Sequence, residues 1–376
     1  MSGPPLVYIN NAVGTRLAIP KDWISVEYAR AENGIGAALL VLPGNNYDRP
    51  TFPKDGLVEI WRVPDSGSPY LDTETLWLIR RVVYKTGPPA VWEITAYDLN
   101  HILTRRIVDY NSNNAFSDKV MAADDMGKQV ISENFGAGAT DTTRSIAAYL
   151  SIQASSALAP SIRMDFSRQN VFKVLQDIAD ASYQNGTYLV FDVVCKTPPA
   201  FGAFPVLEFR SYVKYRGVDR TTTLSNQNQL LIGTDFGNLS EGVVDEDATN
   251  EITRGIALGQ GIDSVQAVAR TDDLARQAES PFGLIENARS ASGALVAADL
   301  TAQSQAEVRS GIPKITVSGK FVSGTGLLYG LDWNWGDLVT AQVNGISQVC
   351  HVQGIKVHYG RDSGETVEPI LSGAVA

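Results

Sequence analysis

A chain of 376 residues is too long for one ordinary core, and 44% hydrophobic with 19% charged residues excludes a disordered polymer. A net charge of −10 argues against duplex binding, which needs a basic surface to neutralise phosphates, yet an acidic wall can let nucleic acid pass without holding it. The two cysteines, Cys195 and Cys350, lie far apart, which excludes a disulfide framework and a cysteine-rich zinc site and fits folding in a reducing compartment.

The N-terminal stretch MSGPPLVYINNAVG has no basic segment leading into an apolar run, so no Sec signal is expected there. No apolar stretch reaches the roughly 18 residues of a membrane-spanning helix. Residues 1–112 read as the first β unit. LVEIWRV (57–63) and WLIRRVVY (77–84) are rich in β-branched and aromatic residues, as strands require. In WEITAY the period of two puts Trp92, Ile94 and Ala96 on one face. Asp98 then stands where it can cap a short helix carrying Leu99, Ile102, Leu103 and Arg106 on one side. That strand-to-helix corner suits the end of a barrel or sandwich.

Residues 113–215 read as an α+β unit. Asp118 to Phe135 shows apolar Val120, Ala123, Val130 and Ile131 at helical spacing. SIRMDF reads as a short strand. The clearest helix follows, with Val171, Val174, Leu175, Ile178 and Ala181 as its stripe, Ser167 or Asn170 as its cap and Asn185-Gly186 as its stop. TYLVFDVV and VLEFRSY complete a β-α-β-β unit. Residues 216–245 read as a polar connector, and 246–376 as a second β unit with one helix, from Ala294 to about Ser310. From Asp245 to Glu279 there are eight acids against three arginines and no lysine, half of the net charge. NEITRGIALGQG, ITVSGKFV, GDLVTAQV, VCHVQGIKVHYG and TVEPILSG read as its strands. The fold class is α+β, mainly β, with the two outer units as the same kind of barrel used twice.

Candidate chemistry is sparse. His351 and His358 are seven apart in strand-like sequence and face opposite ways on an unbroken strand, and His101 stands alone. No GxSxG elbow, GxGxxG or P-loop occurs. The acid runs Asp124-Asp125, Asp245-Glu246-Asp247 and Asp272-Asp273 read as solvated faces before they read as catalytic pairs. Asp245, Asp247 and Glu251 could hold calcium, without EF-hand spacing. Arg105 and Arg106 either pair with acids of a neighbouring subunit or make local salt bridges at a surface corner. Trp333 and Trp335 could form a sugar platform or an interface anchor; packing is the plainer reading. The chain is expected to be no enzyme and to carry no cofactor.

Several segments, taken in order, are similar to those of phage tail-tip hub proteins. The strand, the Tyr97-Asp98-Leu99 corner and LTRRIV (103–108) resemble the end of the first domain of long-tailed siphovirus hubs. The helix NVFKVLQDIADAS with TYLVFDVV, the strand NEITRGIALGQG, and GDLVTAQV with GIKVHYGRDSGETVEPILSG resemble later parts of the same family. Contractile baseplate hubs and type VI spike hubs are more distant relatives. The resemblance implies two tail-tube-like β-barrels with an inserted β-α-β-β domain, and a homotrimer whose subunits pair strand edges. It also implies a hub joining the sixfold tail tube or distal tail ring to a threefold tip or fibre. Tape measure protein and passing DNA would be its other neighbours, and the virion tail its location after assembly in the host cytoplasm. A sixfold distal tail ring, a cell-wall hydrolase and a carbohydrate-binding module are the alternatives.

Overall fold

The computed structural model describes residues 3–64, 68–109, 117–199, 204–221, 229–261, 265–291, 297–322 and 327–373. The junction expected near residue 112 and the first residues of the helix expected from Ala294 lie outside them.

The first unit contains β1 (Gly3–Asn10), β2 (Arg16–Ala18), β3 (Ser25–Ala31), β4 (Ala37–Pro43), β5 (Leu57–Val63), β6 (Tyr70–Leu71), β7 (Trp77–Lys85) and β8 (Val91–Tyr97), then a 3-10 turn, Leu99–Arg105. The middle unit contains β9 (Ser117–Ala122), α1 (Ala123–Asn134), β10 (Leu150–Ile152), β11 (Ser161–Phe166), α2 (Val171–Gln184), β12 (Leu189–Thr197) and β13 (Val206–Val213). The last part contains β14 (Leu231–Gly233), β15 (Leu239–Asp247), β16 (Arg254–Leu258), β17 (Val268–Asp272), α3 (Leu274–Gln277), β18 (Glu286–Ser290), α4 (Ala297–Ser310), β19 (Lys314–Phe321), β20 (Leu338–Val343), β21 (Ile346–Gly360) and β22 (Gly364–Gly373).

Fourteen strands form one sheet, in the order β15-β19-β22-β21-β3-β4-β8-β7-β5-β1-β2, with β20 beside β21, β14 beside β20 and β6 beside β5. The two outer units meet where β3 runs antiparallel to β21, from Ala31 opposite Gly354 to Ser25 opposite Gly360. Their inward residues form one apolar core, from Val7, Ile9 and Trp77 to Trp333, Trp335 and Val352. Trp92, Ile94 and Ala96 enter it from one face of β8, as the period of two requires. The mainly β class read from the sequence holds. Among the described residues the end strands of the sheet do not pair with each other, so its pairing is open rather than closed into two barrels.

In the middle unit β12 pairs antiparallel with β13, and β10 joins β13 in parallel. Both helices pack on this sheet, and a second core forms around Val130, Val174, Ile178, Val193 and Phe209. The α2 stripe is buried, and Asn170 caps it, its side chain accepting from Phe172 N at 3.0 Å. Three sequence expectations are corrected. The helix read from Asp118 begins only at Ala123, because Ser117–Ala122 pairs in full with β11 and leaves Val120 exposed. Asp98 precedes a 3-10 turn rather than an α-helix, and its carboxylate turns to Arg30 and Gly36 N instead of capping. The connector read at 216–245 includes β14 and most of β15, whose Ile232 and Leu239 enter the main core together with Leu230 just before β14.

Residues 254–310 make a small body of their own: the sheet β17-β16-β18 with α4 laid across it. Among the described residues its core is small: Ala257, Ala291 and Leu300, with Ala269 packed against them. Among the described residues no helix is long and apolar enough to cross a membrane. Helix α4 can lie close because residue 255 is glycine: a Cβ there would sit 2.2 Å from the Ser304 carbonyl oxygen and 2.9 Å from Glu307 Cβ. Gly255→Ala is expected to cost about 1–3 kcal/mol through overpacking. Hydrogen exchange reads this directly; α4 amides exchanging as slowly as in the parent chain would refute it.

Candidate functional site

Among the described residues a cluster of buried charge lies where the three units meet. Arg30 reaches it from β3, whose inward positions are Val26, Tyr28 and Arg30. Its Nη2 donates to Asp192 Oδ1 at 2.7 Å, its Nη1 to the Thr73 carbonyl at 3.0 Å, and its Nε to Asp98 Oδ2 at 3.2 Å. Arg216, arriving after β13, donates to the other oxygen of Asp192 at 3.1 Å and to Glu74 at 3.0 Å. Both guanidinium groups lie over the Trp335 ring, at 4.5 and 4.3 Å. Trp335 thus belongs to the last unit, Asp192 to the middle one and Asp98 to the first. Burial, reinforced by the charge of Asp192, raises the Asp98 carboxyl to about 6 although Arg30 opposes it.

Beside this cluster the β3–β4 turn enters the middle unit. Asn33 donates to the Leu189 carbonyl at 2.8 Å and accepts from Phe191 N at 2.9 Å, and Asn100 accepts from Val193 N at 2.9 Å. Two asparagine side chains therefore bond the edge of β12 where a neighbouring strand would. Tyr188 donates its hydroxyl to Glu32 Oε2 at 2.9 Å and accepts from Gln353 Nε2 at 3.3 Å, so three units again share one contact. The other Glu32 oxygen is buried without a hydrogen bond, and burial raises this carboxyl from 4.5 to about 7.

The second feature is a pocket of about 240 Å³ between the first and middle units. Leu57, Leu76, Leu78, Leu99, Phe135 and Leu207 line it, and Arg105 and Arg106 stand on its wall. The adjacent arginines do different things. Arg105, about one-third exposed, donates to Asp55 Oδ1 at 2.7 Å, which also accepts from Arg80 at 2.6 Å. Partial burial opposes ionisation of Asp55, but the two arginines hold its carboxyl below the usual range. Arg106 turns inward, donating to the carbonyls of Asn134 and Arg144, with its guanidinium 4.3 Å from the centre of the Phe135 ring. It supplies a cation to the C-terminal end of α1.

The remaining candidates stay scattered. Trp333 and Trp335 are 0% and 1% exposed, so they pack the core and present no platform to a sugar. Asp124 and Asp125, read as a solvated face, are buried: with Lys128 they hold the backbone and hydroxyls of residues 155–159. Asp272 pairs with Arg254, and Asp273 with Arg276. His351 is buried against Tyr188, which lowers its pKa to about 4, while His358 bonds Glu27 and His101 stacks on Tyr97. Burial pushes both cysteine thiols up to about 12. Among the described residues no three His, Cys, Asp or Glu side chains converge on a metal position.

The junction residues were missed by motif reading. Their signal was a charge at an inward strand position, as with Arg30 after Val26 and Tyr28, or Asp192 between Val190 and Val194.

A family model described as Siphovirus ReqiPepy6 Gp37-like protein matches residues 6–371. Among solved structures, the 43 kDa tail protein of prophage MuSo2 from Shewanella oneidensis superposes with a TM-score of 0.60 at 12% identity, covering 98% of each chain. Prophage tail protein gp18 from Listeria monocytogenes EGD-e gives 0.57 at 12%, covering 98% of this chain and 94% of that one. The tail protein from Neisseria meningitidis MC58 gives 0.56 at 13%, covering 98% of this chain and 97% of that one. At such identities the likeness is one of fold. No curated protein matches the chain.

Two outcomes are expected at the junction. Asp192→Ala leaves two buried guanidinium groups without their shared partner and should cost about 3–5 kcal/mol in urea unfolding; an unchanged midpoint would refute the junction's role. For Glu32 the folded chain keeps a proton that the unfolded chain releases between pH 4.5 and about 7, so its contribution to stability falls as pH rises through that window. Glu32→Gln should flatten this decline, read as unfolding midpoints from pH 4.5 to 8; an unaltered slope would assign it to other groups.

Proposed function

The chain belongs to the Siphovirus ReqiPepy6 Gp37-like protein family, and we propose that it serves as a structural hub at the tip of the phage tail. Three copies form the hub. Each contributes two tube-like units, so that six such units surround the axis and match the sixfold tail tube or distal tail ring on one side. A threefold tip or fibre joins on the other side, and the tape measure protein ends within the bore. The hub assembles in the host cytoplasm and remains in the virion tail.

The observation that carries this reading is the pairing of β3 with β21, which makes the two outer units one continuous sheet over one core. A shared ladder and a shared core hold the two outer units in one fixed relation. The net charge of −10 supports the second part of the proposal, a channel wall that outgoing DNA passes without sticking. The buried Trp333 and Trp335 give no support to the carbohydrate-binding alternative.

Copy number in purified tails tests the proposal. Three chains per tail, with threefold density at the tip by electron microscopy, is the expected result. Six copies in a sixfold ring would replace the hub with a distal tail ring.

A further inference from the structure

Phe282 is 87% exposed, and Leu274 and Leu284 nearby are 72% and 52% exposed. The turn that carries Phe282 is nevertheless well fixed. Gly283 N donates to the Ser280 carbonyl at 2.9 Å, and Phe282 N to Ser280 Oγ at 3.1 Å. From beneath, Thr253, only 1% exposed, donates to the Gly283 carbonyl at 2.6 Å and accepts from Ile285 N at 2.9 Å. An aromatic side chain held out on a pinned turn loses little further freedom when it docks. Glu279, three residues before it, is also exposed.

The pocket of about 240 Å³ has the opposite character. Its lining is mostly apolar, and on its wall Asp55 is shared between Arg105 and Arg80, two cations to one carboxylate. An apolar knob beside a carboxylate thus matches an apolar pocket whose rim keeps an excess of positive charge. Knob and pocket sit on different bodies of the chain. The knob belongs to the β16–β18 body, which is tied to α2 by Arg309 donating to the Gln184 carbonyl at 2.6 Å. The pocket belongs to β5, β7, the 3-10 turn and the end of α1.

We propose that the occupant is a second copy of this chain: Phe282 of one copy enters the Arg105-walled pocket of the next, with Glu279 facing Arg105. The two surfaces differ, so the contact is head-to-tail, the kind that builds a ring when its rotation closes. The proposal names the contact that holds the hub together, and it rests on the hub reading only for the number of copies.

The test is a light-scattering concentration series on the full chain, beside Phe282→Glu, Arg105→Glu and the double variant Arg105→Glu with Glu279→Arg. The parent chain should assemble. Phe282→Glu should weaken assembly about 30-fold or more, as expected of a central aromatic anchor, while its melting temperature at dilutions where both chains are dissociated matches the parent's because the side chain is exposed. Arg105→Glu should weaken it about tenfold, and the double variant should recover most of that loss. Assembly unaffected by Phe282→Glu, or a parent chain that stays monomeric at its highest soluble concentration, would overturn the contact. A Phe282-dependent assembly of some other number than three would keep the contact and overturn the threefold hub.

Discussion

A guanidinium group buried between three bodies of one chain has to be matched from all of them, and Arg30 is matched in this way. Its partners are Asp98 from the first unit, Asp192 from the middle unit and the Trp335 ring from the last. Removing such charges from water costs several kcal/mol per ion, and apolar substitutes of similar volume are often no less stable. The consequence of the cluster is therefore geometric. With Arg216 on the second oxygen of Asp192, the middle unit has one seat against the paired β3 and β21, and sliding by one residue would strand two charges. The asparagine contacts along β12 and the Tyr188 bridge join the same units in the same seat.

Much of this architecture was legible because strands and helices print their burial onto sequence period. Trp92, Ile94 and Ala96, and the stripe of α2, were readable for that reason. What failed was governed by a distant partner. Residues 117–122 have mixed periodicity, and their strand exists because β11 lies alongside. The polar appearance of 216–245 hid short strands whose few apolar residues, Ile232 and Leu239, suffice when the rest of a large core is already present. The join of the two outer units is also a partner effect, since nothing local in SVEYARA says that its neighbour is more than 300 residues away.

The candidate site divides along the same line. Arg105 and Arg106 were adjacent in a corner and open to both a local and an intermolecular reading. The backbone turn separates them, Arg106 to the end of α1 and Arg105 to the pocket wall. Asp124 and Asp125 look like surface acids in a one-dimensional reading because adjacent acids usually are; here a lysine and a returning loop supply enough donors to keep both inside. Phe282 carried no motif at all. An exposed aromatic residue has meaning only once a structure shows that its own chain leaves it uncovered.

How copies could join is narrowed by the edges of the sheet. Strand β15 ends the strand order and bears Glu241, Asp245, Glu246 and Asp247 along exposed positions. Acids on an edge strand discourage another strand from adding to it, and two such edges from identical chains would face like charge with like. Edge pairing between subunits, which the family resemblance suggests, is thus disfavoured at this end. Contacts made by side chains entering pockets carry no such penalty. In a ring built that way, adhesion would be confined to a few apolar anchors, and the acidic strand β15 would need no partner strand from another copy.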